Sequence, residues 1–527
     1  MHRGGWRRGI ALGVAAVALA AVLMVAGLLS GCAGGSKAQA TAQAQTRTQA
    51  NQVAGSPRAP AGDAVLRIRG AVRRQAIPGG FVGLSLEYPA VAAYAGTDPS
   101  ALNPVFVQLI RNLNPGQLPV LRIGGDSTDW TWWPVAGMSQ PAGVNYTLTP
   151  GYISVLHGLA ATLGAKLILG IDLEADSTTL AAVEAKALVD GIGPAQVEGL
   201  ELGNEPELYG VFTWGRSAHK GRPRGYDFAD YNQDITRIGD PLTMAPLAGP
   251  AIGAPKWFPY LGQFLSSHPR VAVATLHRYP LQLCYVRPSE PNYPTIANLL
   301  STRSSRTLAD SVIPSVKTAR AHGVPLRIDE MNTISCGVDS GVAQSFASAL
   351  WALDAVFQMA RVGVDGVNIH TYPGATYELF TFTHSDGRWR GTVSPEYYGL
   401  LMFAQAAPPG SHLLNVTATN AGQVKSWATI APDGSVRVVA INDGAGARTV
   451  AVRLGVARGA GTLERLQAPR LTSRGGVTLG GQSFGSGTST GLLAGKARTQ
   501  PVDGTGGQYV FRVPGGSAAL LTVPPAG

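Results

Sequence analysis

The chain has 527 residues, too many for one ordinary hydrophobic core, and its 45% hydrophobic content, 14% charged content and 67 glycines exclude a disordered or fibrous protein in favour of two or three loop-rich globular domains. The net charge of +10 is thinly spread, with no block of Lys and Arg interleaved with aromatics, so no nucleic-acid partner is expected. Such a charge suits an acidic substrate or an anionic surface as well as it suits a merely solvated arginine-rich face.

Taken in chain order, Arg3, Arg7 and Arg8 precede an apolar run over residues 10–29, followed by Leu29-Ser30-Gly31-Cys32. A basic start, an apolar stretch and small residues before a cut site describe a secretory signal. The ending resembles a bacterial lipobox, so residues 1–31 read as a lipoprotein signal peptide and Cys32 as the lipidated mature terminus. The rival is an uncleaved helix, since about 20 apolar residues can span a bilayer. Either reading exports the remainder, as a bacterial cell-surface lipoprotein or a secreted protein that meets the membrane only through its amino-terminal anchor. Residues 32–62 are Ala, Gln, Thr, Gly and Ser with few large apolar side chains, which predicts a flexible tether.

Over residues 63–407 short apolar runs alternate with longer helical ones. Strands are predicted at Phe81–Glu87, Pro119–Gly124, Lys166–Leu173, Val197–Gly203, Leu242–Leu247, Val271–His277, Val324–Glu330 and Gly366–Thr371. Helices are predicted around Ser100–Asn112, Gly151–Thr162, Thr178–Val189, Asp227–Ile238, Trp257–Leu265, Thr295–Ala321, Gly341–Arg361 and Pro395–Ala406. Strands rich in Val, Ile and Leu with little alternation belong to parallel sheets buried on both faces. Eight strand–helix units predict a (β/α)8 barrel, the TIM-barrel architecture. An open doubly wound sheet is the alternative, but no glycine-rich fingerprint follows the first strand. Over residues 408–527 helical patterns give way to short strands, such as Val436–Ile441, Thr449–Leu454 and Tyr509–Val513, between Gly, Ser, Pro and Asn turns, which predicts an all-β sandwich. Val65–Arg69 alternates apolar and basic residues and could add a strand to it, bringing the two ends of the chain together.

Functional side chains of such a barrel sit where its strands end. Strand four ends Leu200-Glu201-Leu202-Gly203-Asn204-Glu205-Pro206-Glu207, and strand seven ends Leu326-Arg327-Ile328-Asp329-Glu330-Met331-Asn332. Three positions apart in a ring of eight, these ends can face each other across the mouth. Two such carboxylates serve glycosidic cleavage, one protonated to donate to the departing oxygen and one ionised to attack the anomeric carbon. Glu201 and Asp329 read equally as structural or solvent-facing, Glu207 as a loop residue, and Arg122 as a support beneath a catalytic carboxylate. Trp130, Trp132 and Trp133 could form a sugar platform or pack under the second loop. Serine catalysis is not indicated, because no Gly-x-Ser-x-Gly elbow occurs. No metal is expected, since no His-Glu-x-x-His pair or cysteine-ligand spacing occurs, and no cofactor is implied. If Cys32 carries lipid, Cys284 and Cys336 remain as an even pair, either joined in an oxidising compartment or left as two buried thiols.

Asn204-Glu205-Pro206 is similar to the acid/base motif of clan A glycoside hydrolases, in which the Asn binds the sugar 2-hydroxyl. The finer resemblance is to glycoside hydrolase family 79, the β-glucuronidases and heparanases, through Phe81 to Glu87, Leu121 to Asp129, Leu200 to Pro206, His277-Arg278-Tyr279, Ile328 to Gly337 and Val367 to Tyr372. The resemblance implies Glu205 as acid/base and Glu330 as nucleophile, with Tyr279 donating to Glu330 and His277 beside it. It also implies a glycone subsite lined by Asn204, Glu87, Asp126 and Ser127, with Tyr372 near the C5 substituent. The implied activity is that of a retaining exo-β-glycosidase, a β-glucuronidase, on a carbohydrate with an acidic terminal sugar. The alternatives are an endo-acting enzyme on acidic polysaccharide, a β-glycosidase for another sugar, and a surface glycan-binding protein that does not cut.

Overall fold

A computed structural model of the chain describes residues 64–71, 76–337, 341–456 and 458–525. The expected signal peptide, Cys32 and the tether lie outside the described residues, and among those described no helix is long and apolar enough to cross a membrane.

Eight parallel strands close into a barrel in chain order: Val82–Leu86, Val120–Ile123, Lys166–Ile171, Val197–Leu202, Leu247–Ile252, Val271–Arg278, Leu326–Met331 and Gly366–Thr371, numbered one to eight below. Strands one, seven and eight are buried at every position. That is the burial expected of strands with side chains inside the barrel on one face and helices against the other. Helices Phe346–Val362 and Pro395–Ala406 are apolar nearly all round because barrel covers one side and the second domain the other.

The second domain is a β-sandwich. Its strands run Val424–Ile430, Val436–Asn442, Ser517–Val523 and Gly461–Gln467 on one side and Arg448–Arg453 and Gln508–Val513 on the other. Strand His412–Thr419 pairs first with Val424–Ile430 and then, from Leu414 to Thr419, with Ala64–Ala71, so it passes from one sheet into the other. Ala64–Ala71 also lies parallel to Arg448–Arg453. Its Ala64, Leu66 and Ile68 enter the sandwich core while Arg67 and Arg69 face outward, which accounts for the alternation in its sequence. The domains join through Trp427, whose ring stacks on Phe357 at 5.3 Å and whose indole N–H donates to Asp354 at 2.9 Å.

Two expectations need correction. The fifth strand occupies Leu247–Ile252 rather than Leu242–Leu247. Gly249-Pro250 reads as a turn, yet the strand runs through it by making few ladder bonds and shifting register against strand six. The long helix expected over Thr295–Ala321 is four short pieces, Ile296–Leu299, Thr302–Ser304, Arg306–Asp310 and Ile313–Ala321. Ser301 and Ser304 hydroxyls bond back to the Asn298 carbonyl, competing with the helical ladder, and Pro314 starts the last piece. The helix Tyr88–Ala95, directly after strand one, was not expected.

Candidate active site

Strands four, six, seven and eight deliver their side chains to one cavity over the carboxyl ends of the barrel. After strand four the chain turns sharply at Glu205, whose φ of +45° is a left-handed conformation rare outside glycine. Its N–H donates to the Ala251 carbonyl at 2.9 Å, and Pro206 starts the next turn. Strain of this kind persists only where surroundings enforce it, and it aims Glu205 across the mouth instead of along the strand. The backbone of Gly253 passes so close that a Cβ there would lie 2.3 Å from a Glu205 carboxylate oxygen.

Strand seven reaches the same cavity by a bulge. Ile328 pairs with Leu276 and Glu330 with His277, leaving Asp329 as the extra residue. Two consecutive acids are thereby buried on the barrel side. A carboxylate oxygen of Glu205, one of Glu330 and a ring nitrogen of His277 all lie within 4.8 Å of one another. His277 Nδ1 is 3.1 Å from Glu205 and 3.9 Å from Glu330. The Tyr279 hydroxyl donates to the other Glu330 oxygen at 2.8 Å.

Arg122, on strand two and fully buried, ties these parts together. It donates to Glu330 at 2.6 Å, to Glu201 at 2.7 Å, to the Asn204 side-chain oxygen at 2.8 Å and to Ser85 at 3.3 Å. The Asn204 amide in turn donates to Asp126 at 3.2 Å. Asp126 opens into the cleft. Its partial desolvation there, then the charges of Glu87, Glu330 and Glu205, raise its carboxyl above the ordinary range, with His370 opposing.

Charge in this cavity is divided unequally. Burial alone would push Glu330 up, but His370, His277, Arg122 and the Tyr279 hydroxyl outweigh it and hold the carboxyl far below its usual range. Burial would likewise strip His277 of its proton. Glu330, Asp329 and the bond to Glu205 overcome that, raising it from 6.5 to about 10, so the ring is an imidazolium at neutral pH. Below, burial and neighbouring Glu201 push the Asp329 carboxyl up, opposed by Arg122 and His277, while Arg122 more than offsets the burial of Glu201 and holds its carboxyl down. The three groups near 4.8 Å could bracket a cation by distance alone. A protonated imidazole offers no lone pair there, and both Glu330 oxygens already receive donors, so the donor set does not suit a metal.

The remaining sequence-predicted residues fall as follows. The Glu87 carboxylate accepts from the Asp126 and Ser127 N–H groups and pairs with His370 at 3.3 Å. Gly125, at φ +96°, is required beside it because a Cβ would strike that carboxylate. Ser127 is buried, and its hydroxyl oxygen accepts from the Tyr88 N–H at 2.8 Å, so it holds the loop. Tyr372 stands beside His370, with ring centroids 5.5 Å apart. Glu207 is buried and accepts from Gly253 N–H at 2.6 Å and Ala254 N–H, joining the loops after strands four and five. Trp132 packs with Val144 and Leu180 under the second loop. Cys284 and Cys336 are disulfide-bonded, tying the loop after strand six to that after strand seven.

Residues 409–520 match the glycosyl hydrolase family 79 C-terminal beta domain. A β-glucuronidase of Neurospora crassa is 24% identical over 391 residues, 66% of this chain and 66% of its own length. One of Aspergillus niger is 25% identical over 408 residues, 69% and 71% of the two chains. The structure of a 4-O-α-L-rhamnosyl-β-D-glucuronidase from Fusarium oxysporum superposes with a TM-score of 0.64 at 18% identity, covering 87% of this chain and all of that one. These findings support membership of glycoside hydrolase family 79.

Three site residues of this glycoside hydrolase escaped the reading of strand ends. Asp129 accepts from the N–H groups of Leu173, Glu174 and Asn204 and from the Tyr209 hydroxyl, fixing the end of strand four to that of strand three. His370, next to last in strand eight, bonds Ser85 at 2.9 Å. Tyr377 follows in the next loop, its ring 6.0 Å from both Tyr279 and Tyr372. Asp129 and His370 fall inside the family-like stretches of sequence. Tyr377 lies in a loop without a motif, and no local signal marks it.

Proposed function

We propose that the chain is a retaining exo-β-glucuronidase with Glu330 as nucleophile and Glu205 as acid/base. The observation that carries this reading is the close approach of the two carboxylates, with oxygens within 4.8 Å. Double displacement uses carboxyl groups ~5–5.5 Å apart, whereas single displacement leaves ~6.5–9.5 Å for a water. In the first step a Glu330 oxygen bonds to the anomeric carbon, the glycosidic C–O bond breaks, and the Glu205 proton passes to the departing oxygen. In the second, Glu205 takes a proton from water, whose oxygen displaces Glu330 and releases the sugar with its configuration retained. The charge pattern supports this division of labour, since Glu330 is surrounded by cations and donors that keep it ionised.

The uronic acid assignment is supported by the names of the fungal relatives and by Tyr372 and Tyr377. Their hydroxyls offer neutral donors for a C5 carboxylate on the Glu87 and Asp126 side of the cavity. The test is to follow by NMR the anomer first released from an aryl β-glucuronide and an aryl β-glucoside, with E205Q and E330Q in parallel. The β-anomer first, glucuronide preferred and both variants inactive is the expected result. An α-anomer first would refute the mechanism, a glucoside preference would refute the substrate, and unchanged turnover in E330Q would refute the assignment of roles. We also read the chain as an exported lipoprotein; labelled fatty acid retained by C32S would refute that.

A further inference from the structure

We propose that Phe212 and Tyr285 form the subsite for the leaving group, receiving the flat face of the ring bonded to the departing oxygen. This rests on the reading of Glu205 as the group that protonates that oxygen. Phe212 is 44% and Tyr285 81% exposed, and their rings meet with centroids 6.5 Å apart, beside Val211, which is 53% exposed. Single exposed apolar side chains are ordinary, but two touching aromatic rings at the catalytic end of a barrel make a patch that water alone does not explain.

Their placement follows from chain connectivity. Phe212 lies on the segment that continues from Glu205, where the Leu208 carbonyl accepts from the N–H groups of both Val211 and Phe212. Tyr285 lies on the loop after strand six, which also carries Tyr279. The two loops therefore meet over strand five. The residues on the glycone side, Glu87, Asp126 and Tyr372, come from strands one, two and eight, at the other side of the closed ring. A sugar seated against that wall presents its glycosidic oxygen to Glu205 and sends the next ring out over strand five, toward the aromatic pair.

The pair is also built to hold its position. Tyr285 has a φ of +63°, a left-handed conformation that a tyrosine adopts only under restraint. The restraint is the adjacent Cys284–Cys336 disulfide, supported by the Leu281–Ile334 strand pairing and by the Leu283 N–H bonded to the Cys336 carbonyl at 3.4 Å. An exposed loop tip is thereby fixed to the same loop that follows Glu330. A flat, rigid aromatic surface binds a sugar's C–H face or an aryl ring with little loss of entropy.

The test compares substrates that share a glycone and differ in leaving group. They are β-glucuronyl fluoride, which carries no ring there, 4-nitrophenyl β-glucuronide, and a disaccharide with β-linked glucuronic acid on a hexose. For each ring substrate, kcat/KM is divided by that for the fluoride, in the full chain and in F212A/Y285A, Y285F and C284S/C336S, with circular dichroism confirming the fold. In F212A/Y285A the ratio should fall about tenfold, the size expected for two ring contacts. Y285F, which keeps both rings, should retain the wild-type ratio, and C284S/C336S should lower it. A fall on the disaccharide alone identifies a sugar as the occupant, and a fall on the nitrophenyl substrate alone an aryl group. Ratios within twofold of wild type for both substrates, or equal losses on fluoride and ring substrates, would overturn the proposal. If the full chain cleaves neither glucuronide, the uronic acid reading fails instead, and the same ratio is measured on the glycone that a panel of glycosyl fluorides selects. Cleavage of none would sink both.

Discussion

Replacing His277 by glutamine should alter how stability depends on pH. The imidazole is buried between Glu205 and Glu330, with Asp329 behind it, and its pKa rises from 6.5 to about 10. Each pH unit of such a rise corresponds to about 1.4 kcal/mol, so charging the ring in the folded state contributes roughly 4–5 kcal/mol at most. Because the folded value lies above the unfolded one, the contribution is complete below about pH 6.5 and disappears as pH climbs through about 10. Glutamine keeps an N–H donor for Glu205 but carries no charge at any pH. Guanidinium denaturation of both proteins at pH 6, 7.5, 9 and 10 should show H277Q several kcal/mol less stable at pH 6. The gap should narrow by up to about 1.4 kcal/mol per pH unit between 7 and 10. A gap that stays constant across that span would mean the ring is neutral in the folded protein, and the charge assignment of the cavity would be wrong.

Three other substitutions probe separate parts of the structure. E205A should lower kcat/KM by about 10²–10⁴-fold on an alkyl glycoside and far less on a nitrophenyl one, whose leaving group needs no proton; equal losses on both would count against a proton-donor role. D129N presents an amide where four donors now converge, and should cost about 2–3 kcal/mol by denaturation while reducing kcat through the displaced strand-four end; a silent variant would remove Asp129 from the site's support. W427A removes the stack on Phe357 and the bond to Asp354, and should cost about 3–5 kcal/mol; a second calorimetric transition appearing in this variant would identify Trp427 as the residue coupling the two domains.

The barrel was legible because its strands are short, apolar and spaced by amphipathic helices, and because its chemistry sits at strand ends where Glu205 and Glu330 are easily found. What escaped is non-local. The bulge at Asp329 turns two adjacent acids to one side, against the period of two that a strand implies. Arg122 bonds partners on strands one, four and seven, a network that no single stretch of sequence records. Strand five was displaced in the reading because Gly249-Pro250 carries a turn's local chemistry and barrel closure overrides it. The broken segment before strand seven reads as continuous because helical periodicity survives interruptions made by serine hydroxyls.

The strand Ala64–Ala71 is made before the barrel, yet both of its neighbours in the sheet belong to the carboxyl-terminal domain. A chain emerging amino end first keeps this strand idle through synthesis of the whole barrel, with its Leu66 and Ile68 uncovered until the last domain arrives. Contacts so distant in sequence form late and slowly. The barrel is thus enclosed between a waiting segment and its eventual partners, and truncation at either end strands the other.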